Sequence, residues 1–263
     1  MRIQTIDNNN EFDWGLTSSD YGKYRPGYSE EFYDLLGATG IGIQNQYILD
    51  IGSGTGVLAR AFASRGARVT AVDSSAQQIE VSRALSYEQG LSIEHIISSF
   101  EDVALPEAHF EVVSAGQCWQ YFDPKIALNK VMRLLEPNGK LVLTYLSWLP
   151  GKDKIAAASE DLVLSFNPAW SGAGEQGLTA DAYAWPPDTL TLRDFHTLER
   201  PIRFTRESWR GRFRACRGIG ASLDAGKVTE FDRAHEQMLH DTAPEEFDVL
   251  HQLAAYVFTK TTR

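Results

Sequence analysis

The sequence predicts an α/β protein in which helices cover both faces of a mostly parallel sheet. Between about residues 47 and 147, short apolar runs alternate with segments of helical periodicity. A glycine-rich turn joins the first run to the first helix. The composition, 43% hydrophobic and 23% charged, is that of an ordinary globular protein. Strands that alternate with helices through short loops favour a parallel sheet.

Eight elements are predicted in this first part of the chain. Asp123 and Pro124 form a helix N-cap and first-turn pair. The Glu-Pro-Asn-Gly sequence at 136–139 is predicted to form a turn. In chain order the predicted elements are strand 47–51, helix 57–65, strand 67–72, helix 75–88, strand 93–97, strand 110–115, helix 123–135 and strand 140–145.

The pattern changes after Ser147. The next 43 residues contain Trp148, Trp170 and Trp185, two turn-forming dipeptides and a glycine-rich stretch, which predict an irregular cap with one helix. The last strand carries apolar residues on both faces, so we expect it to be buried inside the sheet. The predicted elements of this part are helix 154–165, strand 195–204, helices 206–217 and 228–240, and strand 249–258.

These patterns divide the chain into three parts. We predict an N-terminal arm or lid at 1–28 and a cap at 148–190 over the C-terminal ends of the strands. The α/β core comprises 29–147 and 191–263, and its helical segment 205–240 is expected to contribute to the substrate side.

Composition excludes several classes of protein. The net charge is −10, which argues against nucleic acid as a partner because that affinity comes largely from Lys and Arg. Cys118 and Cys216 form no Cys-x-x-Cys pair, and no histidines have zinc-ligand spacing, so no metal site is expected. The polar first ten residues and the lack of an apolar run of about 18 residues predict neither a signal peptide nor a membrane span. We expect a cytoplasmic protein, either a monomer or a homodimer.

The glycine-rich loop and the acid after the next strand indicate a nucleoside site. Gly52-Ser53-Gly54-Thr55-Gly56 lies between a strand and a helix, where backbone approaches a ligand closely and unpaired N–H groups face it. Asp73 follows 21 residues after Gly52, a spacing at which a carboxylate binds ribose hydroxyls. The structural alternative is a strand–helix turn without a ligand.

The loop does not fit the dinucleotide pattern, because Val57 stands where G-x-G-x-x-G needs glycine. Asp50, just before the loop, would repel a pyrophosphate and suits a ligand with a cation. The segment from Asp50 to Gly56 resembles motif I of the class I S-adenosylmethionine-dependent methyltransferases, and the resemblance covers roughly residues 20–147. It implies a Rossmann-like, seven-stranded sheet with the last strand antiparallel, and S-adenosylmethionine as cofactor.

The resemblance also implies cofactor-binding residues. In this family the loop contacts the amino-acid part of the cofactor, the acid at Asp73 binds the ribose, and a segment after the third strand flanks the adenine. A Tyr-x-x-x-Arg-Pro arm of similar enzymes folds over the cofactor. The residues so implied are Tyr21, Arg25, Asp50, Gly52, Ser53, Gly54, Gly56, Asp73, Ser74, Phe100, Glu101 and Gln117.

The acceptor leaves a weaker signature. The Asn/Asp-Pro-Pro-Tyr/Phe turn of enzymes that methylate base amines is absent after the fourth strand, where Trp119 and Tyr121 stand instead. Such aromatics are similar to those of the small-molecule, trans-aconitate type of methyltransferase. We expect a substrate cavity at the carboxyl ends of the strands, lined by these rings and by Trp148 or Trp170. Packing under the cap is the alternative role of these rings.

Arginine is concentrated late in the chain. Residues 193–217 contain eight arginines against three acids. We expect Arg210 and Arg214 to flank a core face formed by Trp209 and its neighbours and to bind a carboxylate or phosphate of the acceptor. Arg212 is expected to point to water. A solvated charged face is the alternative.

These observations predict methyl transfer from S-adenosylmethionine to a small molecule, directed to oxygen and to an anionic acceptor. Methyl transfer from a sulfonium is an in-line displacement that mainly needs alignment and exclusion of water. No catalytic base is therefore assigned. The alternatives are an RNA or protein methyltransferase and a protein that binds the cofactor without transferring methyl.

Overall fold

A seven-stranded sheet in the order β3-β2-β1-β4-β5-β7-β6 organises the chain. The computed structural model describes residue 7 and residues 11–182 and 189–261, so Trp185 lies outside the described residues. The strands are β1 (Tyr47–Ile51), β2 (Arg68–Asp73), β3 (Ile93–Ile97), β4 (Phe110–Gly116), β5 (Leu135–Trp148), β6 (Leu190–Thr205) and β7 (Glu246–Lys260). The helices are α1 (Ser18–Tyr24), α2 (Glu30–Ala38), α3 (Val57–Ser64), α4 (Ala76–Glu88), α5 (Pro124–Leu134), α6 (Lys154–Phe166), α7 (Arg206–Arg214) and α8 (Ala225–Thr242).

The first five strands are parallel, as predicted. β1 lies between β2 and β4, and its Asp50 is opposite Ala71 on one side and Ser114 on the other. β3 and β5 extend the sheet with parallel pairing. The carboxyl ends of β1, β2 and β4 therefore reach the same edge of the sheet, and the loops that follow them meet there.

β7 lies between β5 and β6 and runs antiparallel to both. Lys260 Nζ at its end donates to Leu135 O at the start of β5, at 2.6 Å. Thr261 N likewise donates to Thr189 O just before β6, at 3.3 Å. Residues 251–258 are all buried, because strands cover both edges and side chains pack on both faces. The predicted interior position of this strand is confirmed.

The helices begin at capping side chains that the sequence supplies. The Ser75 hydroxyl accepts the Gln78 amide hydrogen at the start of α4, and Asp123 caps α5 ahead of Pro124. Helix α2 was not predicted, although Ser29 caps it and Phe32 and Leu36 bury its inner face. Its segment lies between the predicted arm and the first predicted strand, where no element is predicted.

The prediction of a turn at 136–139 is wrong, because the chain does not reverse direction there. These residues belong to β5, whose pairing with β4 slips there: Phe110 is opposite Leu135, whereas Val112 is opposite Lys140. The extra residues on β5 form an irregular bulge. Pro137 has no amide hydrogen to donate to a ladder, which is why the regular pairing resumes only after it.

The chain forms two compact units. Unit 1 comprises Met1–Pro26, Ser147–Leu178 and Glu199–Gln252, and unit 2 comprises Gly27–Leu146, Thr179–Leu198 and Leu253–Arg263. Unit 2 holds β1 to β4 and the glycine-rich loop.

Unit 1 has its own apolar core. Its central side chains, Trp209, Phe213 and Phe231, are fully buried at 0% exposure. Helix α1 packs on α7, since the ring of Tyr24 lies where a Cβ on Gly211 would fall. Residues 18–24 thus form a packed helix, and the arm or lid at 1–28 stays a prediction.

An ion-pair network joins three helices of unit 1. Arg214 contacts Asp20 of α1 at 2.9 Å, Glu207 at 2.9 Å and Asp232 of α8 at 2.8 Å. Arg210 contacts both oxygens of Asp232 and is also ion-paired with Glu236. Both guanidinium groups and Asp232 are mostly buried. These two arginines therefore already have carboxylate partners.

Replacing Asp232 with asparagine is expected to destabilise unit 1. The change removes the charge that two buried guanidinium groups share, which costs about 1.5–3 kcal/mol. Glu236→Gln is the matched control, because Glu236 is 61% exposed and its pair is screened by solvent. Urea unfolding at pH 7 measures how much unfolding free energy each variant loses. Equal losses in the two variants would contradict the assigned role of Asp232.

The contact of Asp232 with its two arginines also makes the free energy of unfolding depend on pH. Burial raises the pKa of Asp232, but the hydrogen bonds from Arg210 and Arg214 together outweigh it and hold the folded pKa below the unfolded value of about 3.9. The contribution of Asp232 is therefore present above the unfolded pKa and is lost as pH falls through the lower folded value. The difference in unfolding free energy between wild type and Asp232→Asn should therefore shrink between pH 5 and pH 3.

Candidate cofactor-binding site

The glycine-rich loop after β1 needs glycine for two different reasons. Gly52, Gly54 and Gly56 have φ angles of +57°, +55° and +78°, the left-handed region that favours glycine. A Cβ on Gly52 would lie 2.8 Å from Cys118 Sγ, and one on Gly56 would lie 2.2 Å from Ser82 Oγ. At Gly54 the nearest atom, Gln78 Oε1, is 3.5 Å away. Gly54 therefore leaves open space beside its backbone, where a ligand fits.

The carboxylate of Asp73 fixes this loop to the end of β2. One oxygen accepts the Gly54 amide hydrogen and the other accepts that of Ser75, each at 2.8 Å. Burial raises the pKa of Asp73, and the two amide hydrogens act in the opposite direction. Each oxygen keeps a lone pair, so the oriented carboxylate is able to accept two further hydrogen bonds from a diol.

Asp50 lies beneath the loop and is almost fully buried, at 1% exposure. The Ser114 hydroxyl on β4 donates to it at 2.7 Å. Burial raises the pKa of Asp50 to about 7; the hydrogen bond from Ser114 lowers it and the charge of Asp73 raises it further. A cationic ligand nearby would favour the ionised form of this carboxyl group.

The site fits the cofactor that the sequence implies. The open space at Gly54 and the oriented carboxylate of Asp73 match a nucleoside with a ribose diol. The loop hydroxyls Ser53 Oγ and Thr55 Oγ1 are buried and have no hydrogen-bond partner among the residues described. Polar groups in such positions normally find a partner, and a ligand at this loop is one way to supply it.

The loop after β4 closes one side of the site. Cys118 Sγ donates to Ile51 O at 3.1 Å, and Gln117 has a φ of +57° and donates from its side chain to Leu146 O. Burial holds the Cys118 pKa well above its ordinary value, so this thiol stays protonated. The structure thus brings Gln117 and Cys118 together with the glycine-rich loop.

The segment predicted to flank an adenine is partly buried. Phe100 is 2% exposed and packs edge-on against Phe122, with ring centres 5.7 Å apart. The carbonyl of Glu101 accepts a hydrogen bond from Lys130 Nζ at 3.1 Å. Ser74, next to Asp73, is exposed. Cofactor contacts of Phe100, Glu101 and Ser74 stay predictions.

Two further predicted cofactor residues belong to unit 1. The guanidinium of Arg25 lies 4.7 Å from the ring centre of Tyr21, at the C-terminal end of α1. Both side chains are partly exposed. Their binding to the cofactor stays a prediction.

The four aromatic substrate candidates occupy two different environments. Trp148 and Trp170 belong to the buried core of unit 1, where Trp148 stacks on Phe213 with ring centres 4.9 Å apart. Trp119 in unit 2 is 1% exposed, whereas Tyr121 beside it is partly exposed. Burial favours the packing role for the three tryptophans.

The expectation that Arg212 points to water is wrong. Arg212 is 6% exposed, and its guanidinium lies 4.7 Å from the ring centre of Trp148. Helical geometry explains this, because Arg212 follows Trp209 by three residues and so shares its face. Arg210 and Arg214 lie beside this face in carboxylate pairs, which compete with an anionic acceptor; their binding role stays a prediction.

His251 on β7 is a buried histidine with one ring nitrogen that no described residue satisfies. It is 1% exposed, Nδ1 lies 2.8 Å from Val249 O, and Nε2 has no hydrogen-bond partner among the described residues. Burial lowers its pKa to about 4. A histidine within an otherwise apolar strand is the sequence signal for it.

The part of the chain that the structure describes holds neither a membrane-spanning helix nor a cluster of metal ligands. Within it, no helix has both the length and the apolar character of a membrane span. No three His, Cys, Asp or Glu side chains are arranged to hold a metal ion there.

Comparison with known proteins agrees with this geometry. Residues 49–143 match the family described as a methyltransferase domain. Ubiquinone biosynthesis O-methyltransferase of Xanthomonas axonopodis pv. citri is 31% identical over 123 residues, covering 46% of this chain and 52% of that protein. The enzyme of that name from Idiomarina loihiensis is 34% identical over 117 residues, covering 42% and 48%. The matches span about half the length of these relatives.

Solved structures share the fold over most of the chain. YcgJ of Bacillus subtilis is 18% identical with a TM-score of 0.53, covering 89% of this chain and all of that one. Phosphoethanolamine N-methyltransferase 2 of Haemonchus contortus, in complex with S-adenosylhomocysteine, is 16% identical with a TM-score of 0.51, covering 95% and 57%. At these identities the likeness shows the fold alone.

The sheet order, the left-handed glycine loop and the carboxylate after β2 together form a Rossmann-like fold with a candidate nucleoside site. The family match over residues 49–143 agrees with a class I S-adenosylmethionine-dependent methyltransferase domain in that part of the chain.

Asp73→Ala is expected to weaken cofactor binding at least ten-fold. The substitution removes the carboxylate that we expect to accept two hydrogen bonds from the ribose, each about 1.5–3 kcal/mol, and it releases Gly54. Glu94→Ala is the control, because this carboxylate on neighbouring β3 is exposed and accepts a hydrogen bond from Thr70, away from the loop. Calorimetric titration with S-adenosylhomocysteine measures both, and unchanged affinity in Asp73→Ala would remove Asp73 from the site.

Gly54→Val should fold yet lose stabilisation by S-adenosylhomocysteine. The new Cβ meets no protein atom closer than 3.5 Å, although the positive φ strains it by about 1–3 kcal/mol. Its methyl groups would occupy the space that a ligand needs. Thermal unfolding with and without S-adenosylhomocysteine measures the difference, and a wild-type shift would mean that the loop is only a structural turn.

Proposed function

We propose that this chain transfers the methyl group of S-adenosylmethionine to an oxygen atom of a small-molecule acceptor. The observation that carries the proposal is the glycine-rich loop fixed by Asp73, with open space at Gly54. The match of residues 49–143 to a methyltransferase domain supports S-adenosylmethionine as the cofactor. Oxygen as the methylated atom is supported by relatives named as O-methyltransferases, which match over part of their length.

The chemistry needs little from the protein beyond alignment. When bound, S-adenosylmethionine supplies a methyl group already activated as a sulfonium. The loop backbone at Gly54 orients the ligand, and Asp73 accepts hydrogen bonds from its ribose. Ionised Asp50, buried beneath the loop, favours positive charge on that ligand. Holding two reactants in line and excluding water accounts for a large share of such a rate enhancement.

Small molecules are favoured as acceptors over polymers. The net charge of −10 opposes nucleic acid binding, and the Asn/Asp-Pro-Pro-Tyr/Phe turn is missing after β4. We further propose that the acceptor is anionic. Because Arg210 and Arg214 already have carboxylate partners, its recognition falls to other cations of the chain.

An acceptor screen tests the function. The full chain is incubated with methyl-labelled S-adenosylmethionine and a panel of phenols, hydroxy acids and amines, and S-adenosylhomocysteine release is measured. We expect release with hydroxylated acceptors and a methyl ether as product, both lost in Asp73→Ala. Label entering the RNA or protein fraction of a cell extract would instead indicate a macromolecular acceptor. Tight binding of S-adenosylmethionine with no release would indicate a non-methylating binding protein.

A further inference from the structure

Arg212 is a buried guanidinium for which the described part of the chain provides no carboxylate partner. It is 6% exposed, stacks over Trp148, and its Nε has no hydrogen-bond partner among the described residues. Burying a cation in this way is costly unless an anion or a set of hydrogen bonds compensates it.

The other arginines nearby show that unit 1 normally supplies such compensation. Arg210 pairs with Asp232, Arg214 pairs with Asp20, Glu207 and Asp232, and Arg217 pairs with Asp7 at 2.9 Å. Arg212 lies on the same helix as Arg210 and Arg214 and is more deeply buried than either. Its lack of an acid is therefore specific to this position.

A second cation, Arg25, lies at the contact between α1 and α7, because the ring of Tyr24 packs against Gly211 and the next residues are Arg25 and Arg212. Burial, followed by the charge of Arg25, lowers the pKa of Arg212 to about 10, so the Arg212 guanidinium is charged at neutral pH. Two like charges held near each other in unit 1 raise the local positive potential. An anion placed between or beside them relieves both the repulsion and the burial cost.

His251 adds an unsatisfied acceptor to this group. Its Nδ1 hydrogen is directed at Val249 O, which leaves the lone pair on Nε2. Nε2 is buried and without a partner among the described residues, and the charges of Arg212 and Arg25 contribute to keeping the ring neutral. The His251 ring lies 6.2 Å from that of Trp209, which lies 5.6 Å from Trp148, the ring under Arg212. A donor on Arg212 and an acceptor on His251 thus lack partners, among the described residues, around one aromatic cluster of unit 1.

We propose that Arg212, assisted by Arg25, binds a carboxylate or phosphate group of the methyl acceptor, and that Nε2 of His251 accepts a hydrogen bond from a hydroxyl of the same molecule. A guanidinium fork matches either anion with two parallel hydrogen bonds. The substrate class is accordingly a hydroxylated organic anion. The identity of this ligand as the acceptor rests on the proposed function, whereas the anion site itself does not.

Binding of a simple hydroxylated anion tests the site. Salicylate carries a carboxylate and a hydroxyl, and salicylamide is its neutral counterpart. Inorganic phosphate represents the other anionic group that the site is proposed to bind. By calorimetry with the full chain, we expect salicylate or phosphate to bind and salicylamide to bind at least ten-fold more weakly. Arg212→Met should weaken anion binding at least ten-fold and leave affinity for S-adenosylhomocysteine unchanged.

Arg210→Met is the matched control. Arg210 lies two residues from Arg212 on the same helix, and its guanidinium is paired with carboxylates of α8. This substitution should lower the melting temperature but leave salicylate affinity unchanged. Arg212→Met should not lower the melting temperature, because it removes an uncompensated charge. If it fails to fold, Arg212→Lys keeps the charge without the fork and should still weaken anion binding.

Two results would overturn the proposal. Equal binding of salicylate and salicylamide, or no binding of any anion, would make Arg212 a structural cation that stacks on Trp148. A melting temperature lowered in Arg212→Met as in Arg210→Met would agree with that role. Anion binding at Arg212 with no methyl transfer to any acceptor would instead retain the site and reject the proposed function.

Discussion

The two hydrogen bonds that Asp73 accepts hold the candidate site together. Parallel pairing of β1 and β2 places Ile51 opposite Val72, so the loops that follow these strands leave the same edge. The carboxylate then joins them through the amides of Gly54 and Ser75. A shift of one residue in this register would turn Asp73 to the other face of the sheet and leave the loop without its anchor.

Two mostly buried carboxyl groups lie at this edge of the sheet. Asp50 and Asp73 lie at the ends of adjacent strands, and burial raises the pKa of both. Ser114 and backbone amides stabilise the ionised forms only in part. A ligand that carries positive charge near Asp50 and a diol near Asp73 relieves both carboxylates, and S-adenosylmethionine has this combination. The buried positions of these two carboxyl groups thus match the chemistry of the cofactor.

The sequence predicted most of the sheet because buried parallel strands are continuous apolar runs. β1 and β3 begin and end where the pattern placed them, and the glycine loop with Asp73 was found from spacing alone. Helix α2 was missed although its buried residues Phe32, Tyr33 and Leu36 have helical spacing. The segment 136–139 was misread because a proline and a glycine indicate a turn equally well when they form a bulge within a strand.

The errors about side chains have a different origin. A charged residue at a core position of a helix conflicts with its usual preference for water, and the chemical preference was given more weight than the periodicity at Arg212. His251 is also one polar residue in an apolar strand. Such residues break the local pattern, and their partners come from segments distant in sequence, so spacing alone does not reveal them.

The position of β7 has a consequence for how the chain assembles during synthesis. β6 is made before β7, yet β5 and β6 are not neighbours in the sheet, because β7 separates them. While the ribosome makes α7 and α8, β5 presents an open edge and β6 has no strand to pair with. Insertion of β7 closes both gaps in one step. Completion of the sheet therefore depends on a contact of long sequence separation, and the nascent chain carries an unpaired strand edge until that contact forms.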